Sequence, residues 1–200
     1  FLAEAERNNL LPLRGMSLGK FGLPNLAAGR NSITYHAGTR AVPEFAMPMM
    51  ANASWRIEAR LVAGRKAQGV VSAVGGSSAG WSLWLDAAHR PVFTYRLFDV
   101  QNLVLRGRQP LARGARAIQV DFTYDGNGFG KGGQLALSVD GTRVGEGRLD
   151  ATTPQFFTID ETFDVGLDRG SPVDSYPPRG GPGFPLRDAE VETVTLSRVG

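Results

Sequence analysis

Four carboxylates, Asp160, Glu161, Asp164 and Asp168, crowd into the run F-T-I-D-E-T-F-D-V-G-L-D-R-G-S-P-V at residues 157–173. Three kinds of chemistry suit such a run. Carboxylate oxygens are ligands for a hard cation such as Ca²⁺, although these acids lack the dense alternation of a calcium loop. Two carboxylates at a defined separation also perform glycoside hydrolysis, one as acid and one as base or nucleophile. Finally, aspartates beside glycines shape turns: an Asx hydrogen bond pins the local backbone, and Gly166 and Gly170 admit positive φ. The residues favour this structural role, with Phe157, Ile159 and Phe163 as apolar anchors of a strand, a tight turn and a loop.

Other chemistry finds less to work with. The chain has no cysteine, which excludes disulfides, thiolate–zinc sites and thiol catalysis. His36 and His89 are the only histidines, no G-x-S-x-G elbow presents a serine to either, and their spacing gives no metal pair. The glycine-rich D-G-N-G-F-G-K-G-G at residues 125–133 imitates a phosphate loop, but Lys131 is followed by Gly132 instead of Ser or Thr. It reads as a hairpin loop. Arginines dominate the basic residues, the net charge is only +3, and no clustered basic face with interleaved aromatics emerges, so no nucleic-acid partner is expected.

Aromatic residues supply the one binding hypothesis. Trp81, Leu83 and Leu85 share one strand face, which leaves Trp84 on the other. In the next apolar run Phe93, Tyr95 and Leu97 alternate with Thr94, Arg96 and Phe98. Trp84 with Arg96 or Phe98 is therefore a candidate stacking surface for a sugar ring. The same face is better suited to packing against another domain, since a sandwich buries one face of each sheet and leaves the other to be covered. No catalytic, cofactor-binding or metal-binding residue is assigned.

These groups need a scaffold, and its signal is period-two alternation. In residues 54–62, Trp55, Ile57, Ala59 and Leu61 point one way; in residues 117–124, Ile118, Val120, Phe122 and Tyr124 do the same. Residues 134–139 place Leu135, Leu137 and Val139 together, and Asp140-Gly141 then predicts a tight hairpin. Further strands are expected at 32–36, 69–74, 81–86, 92–98, 103–107, 143–149 and 191–196, the last alternating poorly enough to predict a bulge or an edge position. Short strands between Gly and Asp turns, with 26 glycines and 12 prolines in 200 residues, predict an all-β antiparallel β-sandwich. No apolar run approaches the roughly 20 residues of a membrane span. Residues 1–9 have helical composition and residues 14–31 read as a Gly-, Pro- and Asn-rich linker, so the sandwich is expected over 32–200, in a chain cut from something longer. Periplasm and cytoplasm both remain open as locations.

Three stretches, taken in order, resemble one family. Residues 160–173 are similar to the D-E-x-F-D-V-G-x-D-x-G-x-P-V signature near the C-terminus of long bacterial arylsulfatases. Residues 124–133 resemble the family's Y-D-G-x-G-x-G-K-G-G stretch. Glu4-Ala5 and Asn9-Leu10-Leu11-Pro12-Leu13 resemble the junction where a helix leaves the catalytic domain, although Arg14-Gly15-Met16 replaces the acidic residues that usually follow. The resemblance implies a concanavalin A-like jelly roll with a short N-terminal helix, residues 1–13 being the end of the linker helix. It implies a non-catalytic C-terminal accessory domain of a sulfuric ester hydrolase, packed on the catalytic domain of the same polypeptide and shaping substrate access. The Ca²⁺ and the formylglycine, made from Cys or Ser in a C/S-x-P-x-R context, are then expected in that missing domain, and this chain alone is expected to be inactive. A lectin-like carbohydrate-binding module for sulfated glycans and an autonomous glycan hydrolase remain as alternatives.

Overall fold

A computed structural model describes residues 2–7, 26–177 and 181–199. Helix α1 covers Leu2–Arg7, inside the stretch of helical composition. The junction residues 9–13 and the linker up to residue 25 lie outside the described residues. Eleven strands follow: β1 Ser32–His36, β2 Val42–Pro43, β3 Ser54–Gly75, β4 Ala79–Leu85, β5 Pro91–Leu97, β6 Gln101–Arg106, β7 Gly114–Tyr124, β8 Lys131–Val139, β9 Thr142–Ala151, β10 Thr162–Val165 and β11 Arg187–Val199. They pair antiparallel into two layers, in the orders β1-β11-β3-β7-β8-β9 and β2-β10-β3-β4-β5-β6. The expected all-β sandwich of jelly-roll type is present.

The core follows from the alternation. Trp55, Ile57, Ala59 and Leu61 of the first sheet, with Ile118, Val120 and Phe122, face Trp81, Leu83, Phe93 and Tyr95 of the second, and all are buried. Trp55 stacks on Phe122 at 5.1 Å and reaches across the layers to Phe93 at 6.1 Å. The expected hairpin at Asp140-Gly141 has φ of 48° and 79°, the left-handed pair that matches strand twist. Its Asp140 carboxylate also accepts the Ala117 amide at 2.9 Å.

One strand departs from expectation. Residues 54–62 and 69–74 were expected as separate strands, yet both belong to β3, whose 22 residues run through both sheets. Its first part pairs with β7 and β11, and its last part with β4 and β10. The crossing lies between Ala63, where the β7 ladder ends, and Gly69, where the β4 ladder begins; within it, a Cβ on Gly64 would overlap the Asp188 carboxylate. Asp188 sits in a β11 bulge with φ of 50° and accepts the Lys66 amide at 2.6 Å. The bulge expected over residues 191–196 is present as a second register shift, between Val191 and Thr193, but β11 lies between β1 and β3 and is no edge.

A second departure concerns the acidic run. Phe163 is fully buried against Tyr35 at 4.7 Å and Trp81 at 6.0 Å, and Phe157 packs partly buried on Tyr95. Ile159 is 66% exposed and anchors nothing. The cause is local. The Glu44 carboxylate accepts the amides of Phe157 and Thr158, and the Thr158 hydroxyl accepts those of Asp160 and Glu161, which closes a turn before β10 begins.

Candidate functional site

Each carboxylate of the acidic run is held by its own partners. Glu161 accepts the Ser171 amide at 3.0 Å and lies so close to Gly170 (φ 68°) that a Cβ there would overlap it. Buried Asp164 accepts the Ala41 amide at 2.9 Å and the Thr162 hydroxyl at 2.9 Å. Buried Asp168 accepts the Val173 amide at 2.8 Å and the Tyr176 hydroxyl at 2.5 Å. Desolvation pushes Asp168 up to about 6 against those two donors, with Asp164 and Glu161 adding to the rise. Among the described residues no cluster of three or more acidic or histidine side chains is arranged to hold a metal ion. The run builds turns.

The residues after it, as far as they are described, form a strap across the outer face of the second sheet. Ser82, Trp84, Val92, Thr94 and Arg106 share that face by register. Tyr176 and Phe184 close over Trp84 edge-on, at 5.3 and 5.9 Å, and leave it 5% exposed. The Tyr176 hydroxyl sits 2.7 Å from Ser82, the Thr94 hydroxyl donates to Asp174 at 2.6 Å, and Trp84 Nε1 donates to Thr94 at 3.1 Å. Arg106 lies over the indole at 5.7 Å and pairs with Asp86. Polar atoms drawn from the sheet and the strap thus satisfy one another, as buried polar groups must.

The structure separates the proposed stacking residues. Trp84 is covered. Arg96 shares its face but stands opposite Gly80 and Asn102, about 13 Å farther along the strands at the usual rise per residue. Phe98 is the residue left open: it is 62% exposed just past the end of β5, with φ of 45°. Its amide donates to Ser78 O at 2.5 Å, which ties it to the β3–β4 hairpin.

Phe98 stands at the lip of a cleft of about 340 Å³. The hairpin supplies Ser77 and Ser78, the turn before β10 supplies Phe156, Thr158, Ile159, Asp160 and Glu161, and the strap supplies Ser171. Gly76 makes this approach possible, because a Cβ there would lie 2.8 Å from Ser171 O. Ser77 and Ser171 meet across the floor at 2.8 Å. The serines and Ile159 escaped the sequence reading because they come from turns far apart in the chain.

Other candidates do not converge. His36 ends β1 in the first sheet, whereas His89 sits in the β4–β5 turn with φ of 63° and its Nδ1 3.1 Å from Ala67 O. The Asp125–Gly132 backbone bond at 3.0 Å closes the glycine-rich loop as a hairpin, and Asn52 accepts the Gly130 amide at 2.7 Å. One motif needs correcting. Ser175-Tyr176-Pro177-Pro178-Arg179 spells S-x-P-x-R, so that pattern does occur within this chain. Ser175 is exposed, its neighbour Tyr176 is committed to covering Trp84, and Pro178 and Arg179 lie outside the described residues.

No protein-family model matches the chain, and no curated protein matches it. Solved structures do. The CBM40 domain of a Ruminococcus gnavus IT-sialidase, bound to α2,3-sialyllactose, aligns with TM-score 0.50 and 15% identity over 74% of this chain and 78% of its own. Domains LG4-5 of the mouse laminin α1 chain align with TM-score 0.50 and 11% identity over 85% of this chain and 41% of theirs. At these identities the likeness is one of fold, a lectin-like β-sandwich. It does not bear on the arylsulfatase resemblance.

Proposed function

We propose that this domain is a lectin-like carbohydrate-binding module, and that the cleft beside Phe98 is its binding site. The observation that carries this reading is Phe98 itself. A bulky side chain at positive φ costs on the order of 1–2 kcal/mol, and exposure denies Phe98 the compensating burial. Such strain persists where the surroundings impose it, and here it presents an aromatic face beside the carboxylates of Asp160 and Glu161 and the hydroxyls of Ser77, Ser78, Thr158 and Ser171. An apolar ring face with convergent acceptors and donors is what a sugar requires. The neighbouring fold of a sialidase CBM40 supports the reading at the level of architecture. Trp84 would contribute from beneath, by holding the strap. The test is affinity electrophoresis or calorimetry against a glycan panel: binding that Phe98→Ala abolishes supports the proposal, and binding insensitive to it moves the site elsewhere.

The signature of residues 160–173 supports a second, compatible reading, in which the module belongs to an arylsulfatase-like polypeptide and packs on its catalytic domain. Val100, 68% exposed in the turn before β6, and Val104, 44% exposed on β6 at the sheet edge, offer the apolar surface such packing needs. Ca²⁺ and formylglycine would belong to that other domain. Val100→Asp would then destabilise the longer polypeptide while leaving the isolated sandwich unchanged.

A further inference from the structure

We infer that the cleft selects uncharged glycans over sulfated or carboxylated ones; this rests on the carbohydrate-binding reading above. The lining carries two carboxylates, Asp160 and Glu161, and no lysine or arginine among the described residues. Arg40, Arg96 and Arg169 do not line it, and the buried Nε of Arg96 has no hydrogen-bond partner among the described residues. Arg40 donates to Val165 O, Arg169 lies 4.0 Å from Asp164, and Arg96 sits on the outer sheet face opposite Gly80 and Asn102, outside the lining.

The two carboxylates are not free to turn away. Thr158 donates to one oxygen of Asp160 at 2.7 Å, and the Ser171 amide holds Glu161 at 3.0 Å. Asp160, an exposed residue of the lining, keeps lone pairs beyond the one that Thr158 uses, which are acceptors available to sugar hydroxyls. A sulfate ester or a sugar carboxylate would bring like charge against them in a partly desolvated space, where juxtaposed anions are rejected. The chain as a whole is basic, with net charge +3, so bulk attraction alone would favour the opposite choice. The cleft therefore works against the field of its own protein.

The experiment is affinity electrophoresis of the domain through dextran, xylan and galactomannan, each beside a chemically sulfated derivative, with Phe98→Ala and Asp160→Asn in parallel. The expected result is retardation by at least one neutral polymer, lost in Phe98→Ala, and weakened about tenfold or more by sulfation of that polymer. Asp160→Asn should narrow the gap between the neutral and sulfated forms. Retardation by sulfated polymers alone, abolished by Phe98→Ala, overturns the charge inference while the carbohydrate reading stands. Retardation by neither kind, or only by sulfated polymers and regardless of Phe98, overturns both.

Discussion

The carboxylate of Glu161 occupies the space in which a side chain at Gly170 would begin. Two demands meet at Gly170, a φ of 68° and the absence of a Cβ, and glycine alone meets both. Gly170→Ala is therefore expected to expel Glu161 from the Ser171 amide and to destabilise the domain by about 1–3 kcal/mol. Urea denaturation measures this, and an unchanged midpoint would refute it.

Phe98→Gly separates fold from function. Glycine relieves the positive φ, so the variant should be as stable as the parent or up to about 1 kcal/mol more so. It should bind no glycan. A loss of both stability and binding would show that Phe98 serves the fold instead.

Acidity offers a further test. Desolvation by burial, opposed by the Thr158 and Phe157 amides, raises Glu44 from 4.5 to about 7, and desolvation raises Asp168 from 3.8 to about 6. A raised carboxyl means that the folded state holds the proton in a window where the unfolded chain has released it. Stability should therefore decline as pH rises from about 4 to about 7, with Glu44 contributing on the order of 1–3 kcal/mol. Glu44→Gln keeps an oxygen for the two amides and should flatten the upper half of that slope. An unchanged slope in this variant would dismiss Glu44 as its source.

Tyr176→Ala should open the strap. Trp84 loses one of its two aromatic covers, and Asp168 loses a hydroxyl donor. Red-shifted tryptophan emission and faster acrylamide quenching are expected. Trp81 and Trp55 lie in the core between the sheets and should report no change of their own.

The isolated chain is expected to leave an aryl sulfate unhydrolysed, with or without added Ca²⁺. Ser175→Ala is the informative control, since Ser175 opens the S-x-P-x-R spelling in the strap. Turnover that this substitution abolishes would overturn the accessory reading.

Alternation made the two layers legible, because burial on one face writes itself into every second residue, as in Trp55, Ile57, Ala59 and Leu61. It cannot say what covers the other face. Trp84 looked free to stack on a ligand because Tyr176 and Phe184, which cover it, come from an irregular segment with no periodicity to read. Phe98 stayed available for a local reason, the left-handed turn that lifts it off β5. Ile159 was mistaken for an anchor because the turn that exposes it is closed by Glu44, which is distant in sequence and adjacent only in the fold. The cleft, drawn from a hairpin, a turn and a strap, had no sequence pattern at all.

The shared strand β3 leaves this sandwich no seam. Each sheet takes its own part of the same 22-residue strand as an inner member, so the two layers share one continuous backbone there. Fluorescence from Trp55 and Trp84, one per layer, should trace a single transition. A backbone nick at Arg65 would leave the first part of β3 held by its ladders with β7 and β11 but no longer continuous with the part that pairs with β4 and β10, and the single transition should broaden.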